Sequence, residues 1–238
     1  MQDTPAKALQ GTLPSHNGKT QQFAKRHPIG SAIGLYLFVH GFYLFSCWYN
    51  VTRFGSWVLL WWAFLPMVLA AFGAAVLGAA GLVGLCFRRV RRDCLILMLG
   101  GAVYLLLAIP TFRPTIRLGN LIRMDGFRSA ASRAEPLIAA LWHYHGDHQK
   151  MPEDLNQLVP SYLPEIPATG LGLYPEFKYS RLPTGAKDDY GNSWTLVIPC
   201  TSGGVNFDTF RYHPSGVYPK DGFGGSLERV GDWAYVHE

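Results

Sequence analysis

Hydrophobic positions in this chain are gathered into three long blocks, and the rest is polar enough to live in water. Residues 30–50, 54–87 and 94–112 contain no Lys, Arg, Asp or Glu. A bilayer core about 30 Å thick needs about 20 apolar residues in helical conformation, because lipid offers no partner to a backbone N–H or C=O. The pattern therefore predicts three transmembrane helices, at about 30–51, 56–87 and 94–112. Trp48, Tyr49, Trp57, Trp61 and Trp62 stand at their ends, where aromatic rings favour the headgroup level. The second block is long for one perpendicular crossing and short for two, so it reads as a single tilted helix with a kink at Pro66.

After residue 112 the period changes. Beyond Pro110 and Pro114 a helix is expected from Ile116 to His145, interrupted or bent near Gly126 and Pro136, with Leu137, Ile138, Leu141, Trp142 and His145 along its buried stripe. Met151-Pro152-Glu153-Asp154 opens a short helix that ends before Pro160. Short strands follow at Glu176–Arg181, Ser193–Cys200, Val205–His213 and Asp232–Val236, separated by Gly, Asn, Asp and Ser. Trp194, Leu196, Ile198 and Cys200 alternate onto one face, so a small antiparallel meander can cover the helix. The expected fold class is α+β: an arm over 1–29, a three-helix membrane domain over 30–112, and an extramembrane domain over 113–238.

Composition agrees with this division. Only 16% of residues are charged, against about 25% in an ordinary soluble domain. Residues 1–111 hold 9 basic and 2 acidic side chains, whereas 112–238 hold 12 and 14. The excess of positive charge thus flanks the apolar blocks, which removes the support for a nucleic-acid partner and makes the lipid bilayer the expected one. Lys7, Lys19, Lys25 and Arg26 precede the first block, Arg53 alone follows it, and Arg88, Arg89, Arg91 and Arg92 separate the second from the third. By the positive-inside rule the amino terminus and the arginine loop are cytoplasmic, and the carboxy-terminal domain lies outside, in the periplasm of a bacterium. No cleavage site follows the first block, so that helix is expected to stay as an anchor.

Candidate chemistry is sparse. His40 is the one residue inside the blocks with a pKa near neutrality, and it reads as an interhelical hydrogen-bonding residue. Ala70, Ala74 and Gly78 recur every four residues, a face that lets another helix backbone approach closely, in this chain or in a partner. The four cysteines form no C-x-x-C pair. Asp188, Asp189, Asn192 and Asp208 are oxygen donors of the kind calcium takes, but they lie in turn sequences. Ser202-Gly203-Gly204 is a glycine turn with no helix after it to hold a phosphate.

His143, His145, Asp147 and His148 spell H-x-H-x-D-H, similar to the zinc signature of metallo-β-lactamase-fold hydrolases. The alternative that follows is a membrane-tethered zinc hydrolase. On a helix, however, His143 and His145 point about 200° apart and cannot share a metal, and the chain after them offers only His213 and His237 as further imidazoles. No catalytic set and no cofactor are expected.

The run from Ala134 to Pro167, AEPLIAALWHYHGDHQKMPEDLNQLVPSYLPEIP, resembles the globular region of the major pseudopilins of type II secretion. Tyr144, Asp147, His148 and Pro152 match the turn that ends the long helix there. Leu155, Leu158, Pro160, Tyr162, Leu163, Pro164 and Pro167 match the stretch after it, with Phe177 and Tyr179 in the first hairpin strand. Gln149 and Met151 stand where that turn has Gly and an aromatic residue, and the basic leader with its Gly and following Glu is not seen. The resemblance implies a pilin-like helix packed on a small antiparallel sheet, carried on a permanent anchor, with envelope or pilin-like proteins as partners.

Overall fold

The computed structural model describes residues 27–202, 207–221 and 223–237. The arm up to residue 26 and the start of the expected third strand at Val205, with most of the Ser202-Gly203-Gly204 turn, lie outside them. The fold is α+β. Helix α1 spans Pro28–Asn50, α2 Trp57–Trp62, α3 Leu65–Gly84 and α4 Arg91–His148. A 3-10 turn at Leu155–Leu158 follows, and then strands β1 (Lys178–Arg181), β2 (Trp194–Pro199), β3 (Thr209–Tyr212), β4 (Ser226–Val230) and β5 (Trp233–His237).

Among the described residues three helical stretches are long and apolar enough to cross a membrane: Pro28–Asn50, Trp57–Gly84 and the 58-residue Arg91–His148 helix. The second is interrupted at Ala63–Phe64, between α2 and α3. Pro66 explains the break, since a proline in the first turn of α3 cannot donate to the helix before it. In α4, by contrast, the expected stop at Pro110 and Pro114 does not occur. All three prolines, Pro136 included, are carried inside one continuous helix. Each removes one backbone hydrogen bond, yet breaking an apolar helix would expose several more polar groups.

Packing divides the chain into two compact units. One joins the chain up to Leu37 with Ala70–Ile109; the other joins Phe38–Leu69 with the chain from Pro110 onward. In the first unit the backbones of α3 and α4 come close: a Cβ on Gly101 would sit 3.0 Å from the carbonyl oxygen of Ala74.

In the second unit the final half of α4 lies on a five-stranded antiparallel sheet of order β1-β2-β3-β5-β4. The first three strands form the expected meander. Strand β4, hidden in sequence by the polar Ser226-Leu227-Glu228-Arg229 run, takes the outer edge and returns through a hairpin at Gly231 (φ +61°) into β5. Strand β5 is thereby central, with Trp233, Ala234, Tyr235 and Val236 all buried. Both edge strands carry charge, Lys178 and Arg181 on β1, Glu228 and Arg229 on β4, which discourages further strand pairing.

The buried face of α4 runs through Phe127, Ala130, Ala134, Leu137, Leu141 and Tyr144. Ala130 and Ala134, with no accessible surface, let the helix axis come down close to the sheet. Leu137 and Leu141 of the expected stripe are fully buried, but Trp142 is 45% exposed and His145 only half-buried. The stripe is turned toward Tyr144 because the alanines, not the larger side chains, set the contact line. The helix is not interrupted at Gly126, which makes room for Val51, whose side chain occupies the space a Cβ would need.

Candidate functional site

Residues 51–56, between α1 and α2, dock on the loop that precedes the sheet. The Gly172 N–H donates to Thr52 O at 2.9 Å. Trp57 meets Tyr174 edge to face at 5.8 Å. That loop is itself closed by Thr169, whose hydroxyl donates to Tyr174 O and accepts from the Leu171 N–H. Arg133 of α4 clamps it through Thr169 O at 2.9 Å. Gly170 (φ +79°) is required here twice over, by its left-handed backbone and because a side chain would strike the Arg133 guanidinium.

Deeper in the same unit lies a buried polar cluster that sequence reasoning missed. Arg123 of α4, 7% exposed, donates through Nη2 to Thr201 O at 2.8 Å and to the Tyr235 hydroxyl at 2.9 Å. Tyr235 in turn donates to Asp208 Oδ2 at 2.7 Å. A guanidinium and a carboxylate, both removed from water, are thus joined through one phenol, which meets the requirement that buried charges be paired. Burial, above all, raises the Tyr235 phenol far beyond its ordinary range, so it stays a neutral donor. Cys200, beside it, has a thiol pushed up to about 12, burial being the main cause. Helical periodicity gave no signal for this cluster, because its partners are 78 and 112 residues away from Arg123.

The turn after α4 uses the residues picked out by the pseudopilin resemblance. Tyr162 donates to Asp147 Oδ2 at 2.8 Å and lies 3.3 Å from His148 Nε2. The Tyr144 ring packs against both, 4.3 Å from His148 and 5.5 Å from Tyr162 by ring centroids. Tyr144 also donates to Gln157 Oε1, which accepts from the Glu153 N–H as well. Pro152 O accepts from Tyr179 of β1 at 3.0 Å. Gln149 adopts φ +55°, the left-handed conformation that ends helices, and its side chain donates to Gly146 O.

Among the described residues no group of three or more His, Cys, Asp and Glu is placed to hold a metal ion. Within the H-x-H-x-D-H run His143 is exposed, His145 packs its ring edge-on to Trp142, and Asp147 and His148 are engaged by Tyr162. The four are not gathered at one point because all lie on the continuous α4 helix, and its geometry fans them apart.

Of the oxygen donors in the Lys187–Asn192 loop, Asp188 and Asn192 are engaged within the loop, while Asp189 is exposed. Asp188 Oδ1 accepts from the backbone N–H groups of Tyr190 and Asn192, and both carboxylate oxygens accept from the Asn192 side chain. Burial alone would raise the Asp188 pKa, but these bonds outweigh it and hold the carboxyl below its usual value. Asp208 serves the Arg123 cluster, 20 positions along the chain. All four cysteines are free thiols.

Of the small-residue face, Ala74 is buried and lies against Gly101, which assigns this part of it to packing within the chain. Ala70 borders the same α3–α4 space, whereas a Cβ at Gly78 would meet nothing within 4 Å. His40 is buried, at 6% exposure. Comparison with known proteins returns nothing: no family model, no curated protein and no solved structure matches the chain. The structure itself defines an α+β protein with three helices apolar enough to span a membrane.

Proposed function

We propose that this chain is a multi-pass protein of a bacterial cytoplasmic membrane that presents a pilin-like domain to the periplasm for interaction with envelope or pilin-like proteins. The observation that carries the reading is the 58-residue helix α4. Its first part is apolar and its last part lies on an antiparallel sheet, as the resemblance at Tyr144, Asp147, His148 and Pro152 implies.

Lipid is the natural cover for the helices. Leu106 is 75% exposed and Ile109 71%, and side chains of that kind in long apolar segments are stable only out of water. The basic residues that flank the segments orient the amino terminus and the Arg88–Arg92 loop toward the cytoplasm. The reading is an interaction protein, with the five-stranded sheet and the helix on it as the presented surface.

Topology is tested by reporter fusions after Glu238: a periplasm-dependent enzyme is active there, and a reporter that works only in the cytoplasm is silent. The reverse pattern overturns the orientation. Interaction is tested by site-specific cross-linking from exposed head positions such as Phe207 in intact cells. Adducts with envelope proteins support it, and a head that yields only uncross-linked monomer refutes it.

A further inference from the structure

The second unit contains a pocket of about 560 Å³ whose lining is amphipathic. Leu60, Phe64 and Ile116 form its apolar side. Arg117, Asn120, Arg123 and His237 form its polar side. Its walls come from the carboxy-terminal end of the first apolar segment, the start of the second and the residues just past the third. In a chain that crosses three times, these points share one membrane surface, and Trp48, Tyr49 and Trp57, at the facing ends of the first and second segments, are residues that favour that surface.

The charged groups around the pocket are not all directly paired. Asp208 answers Arg123 through Tyr235. Glu228 Oε2 accepts from Asn120 at 3.4 Å and stands 3.6 Å from His237 Nε2. Arg117, exposed at the pocket, has no ion pair among the described residues. The Arg117 guanidinium thus stands beside an apolar wall with no carboxylate partner among the described residues.

We propose that the pocket binds the headgroup of an anionic phospholipid, its phosphodiester on Arg117 with Asn120 and Arg123 behind, and its acyl chain along Leu60, Phe64 and Ile116. A phosphodiester charge complements the guanidinium that has no carboxylate partner, and the planar fork of arginine suits phosphate oxygens. The volume lies within the roughly 300–1,000 Å³ of small-molecule sites. The inference rests on the membrane reading, but not on which side of the membrane the head occupies.

The test uses the full chain in a nonionic detergent, with thermal unfolding followed against added dioctanoyl phosphatidylglycerol, dioctanoyl phosphatidylcholine or inorganic phosphate. Phosphatidylglycerol at saturation is expected to raise Tm by about 5 °C, while the zwitterionic lipid and phosphate alone leave it within about 1 °C. Arg117→Gln, a change at an exposed side chain, is expected to keep the lipid-free Tm and to weaken phosphatidylglycerol binding about tenfold. Native mass spectrometry supplies a second measurement, with one retained anionic lipid per wild-type chain and none on the variant. Equal shifts with both lipids, a full shift with phosphate alone, or undiminished lipid retention by the variant would each overturn the proposal. Failure of the membrane reading shows separately, as protein left in the supernatant after ultracentrifugation without detergent.

Discussion

The backbone N–H of Gly172 donates to the carbonyl oxygen of Thr52 at 2.9 Å, tying the sheet domain to the loop between α1 and α2. In a chain that crosses a membrane three times, the loop after the first crossing and the segment after the third must lie on the same side. This bond, with Val51 seated over Gly126, joins the 51–56 loop to the sheet domain by more than the α4 helix.

A methyl group at position 172 has no room, since it would fall against Arg53 O and the Gly55 N–H. Both neighbours are backbone, so the loop must move. Gly172→Ala is expected to destabilise the docked unit by about 1–3 kcal/mol. Limited proteolysis checks it, with faster cleavage in the 51–56 loop than in the wild type.

Tyr235→Phe removes the phenol that links Arg123 to Asp208. Both charged groups then keep their burial but lose their bridge, and the expected loss is about 2–4 kcal/mol, read from thermal unfolding. A Tm unchanged by this substitution would mean that the Tyr235 phenol does not hold the cluster together.

The turn after α4 separates two readings of the histidine run. If its residues act through Tyr162, Tyr162→Phe lowers stability by about 0.5–1.5 kcal/mol, whereas the exposed His143→Ala stays within about 0.5 kcal/mol of wild type. Metal analysis of the purified chain should then find less than about a tenth of a zinc per molecule. A stoichiometric zinc lost on His143→Ala would restore a hydrolase reading built on ordinary three-ligand coordination.

Acid weakens the edge of the sheet in two stages. His213 stacks on Tyr218, and its Nδ1 lies 3.1 Å from Asn192 Nδ2 and 3.0 Å from Val217 O. Burial first, then Arg211 and Arg229, lower its pKa against the opposing pull of Val217 O and Asp188. The unfolded chain therefore takes up this proton more readily. The stability His213 provides is complete above its unfolded pKa of about 6.5 and is lost as pH falls toward the depressed folded value. Asp188, also depressed, contributes stability that is full above about pH 3.9 and is lost as pH falls further. Tm measured against pH should fall below about 6.5 in the wild type and lose that first slope in His213→Gln.

Cys200 gives a probe of the fold. A thiol pushed up to about 12 and sealed among Tyr235, Arg123 and Tyr174 holds almost no thiolate at neutral pH. Maleimide labelling of Cys200 is expected to proceed only on unfolding, while the exposed Cys86 reacts in detergent at once. Fast modification of Cys200 in the folded protein would show that the sheet opens.

By itself the sequence determined where the apolar segments lie, that the remainder is α+β, and which strand residues face the helix, because hydrophobic period and charge depletion are local properties. Leu196 and Ile198 are buried as their alternation requires. What only tertiary structure decided is how distant groups meet. It carried α4 unbroken through Pro110 and Pro114, since breaking an apolar helix leaves more backbone polar groups unpaired than the one hydrogen bond each proline removes. It placed the polar β4 strand beside β5, where cross-strand pairing rather than its own pattern holds it. And it brought Arg123 to Tyr235 and Asp208, because the burial of a charge is settled by a partner that lies a hundred residues away in sequence and is adjacent only after folding.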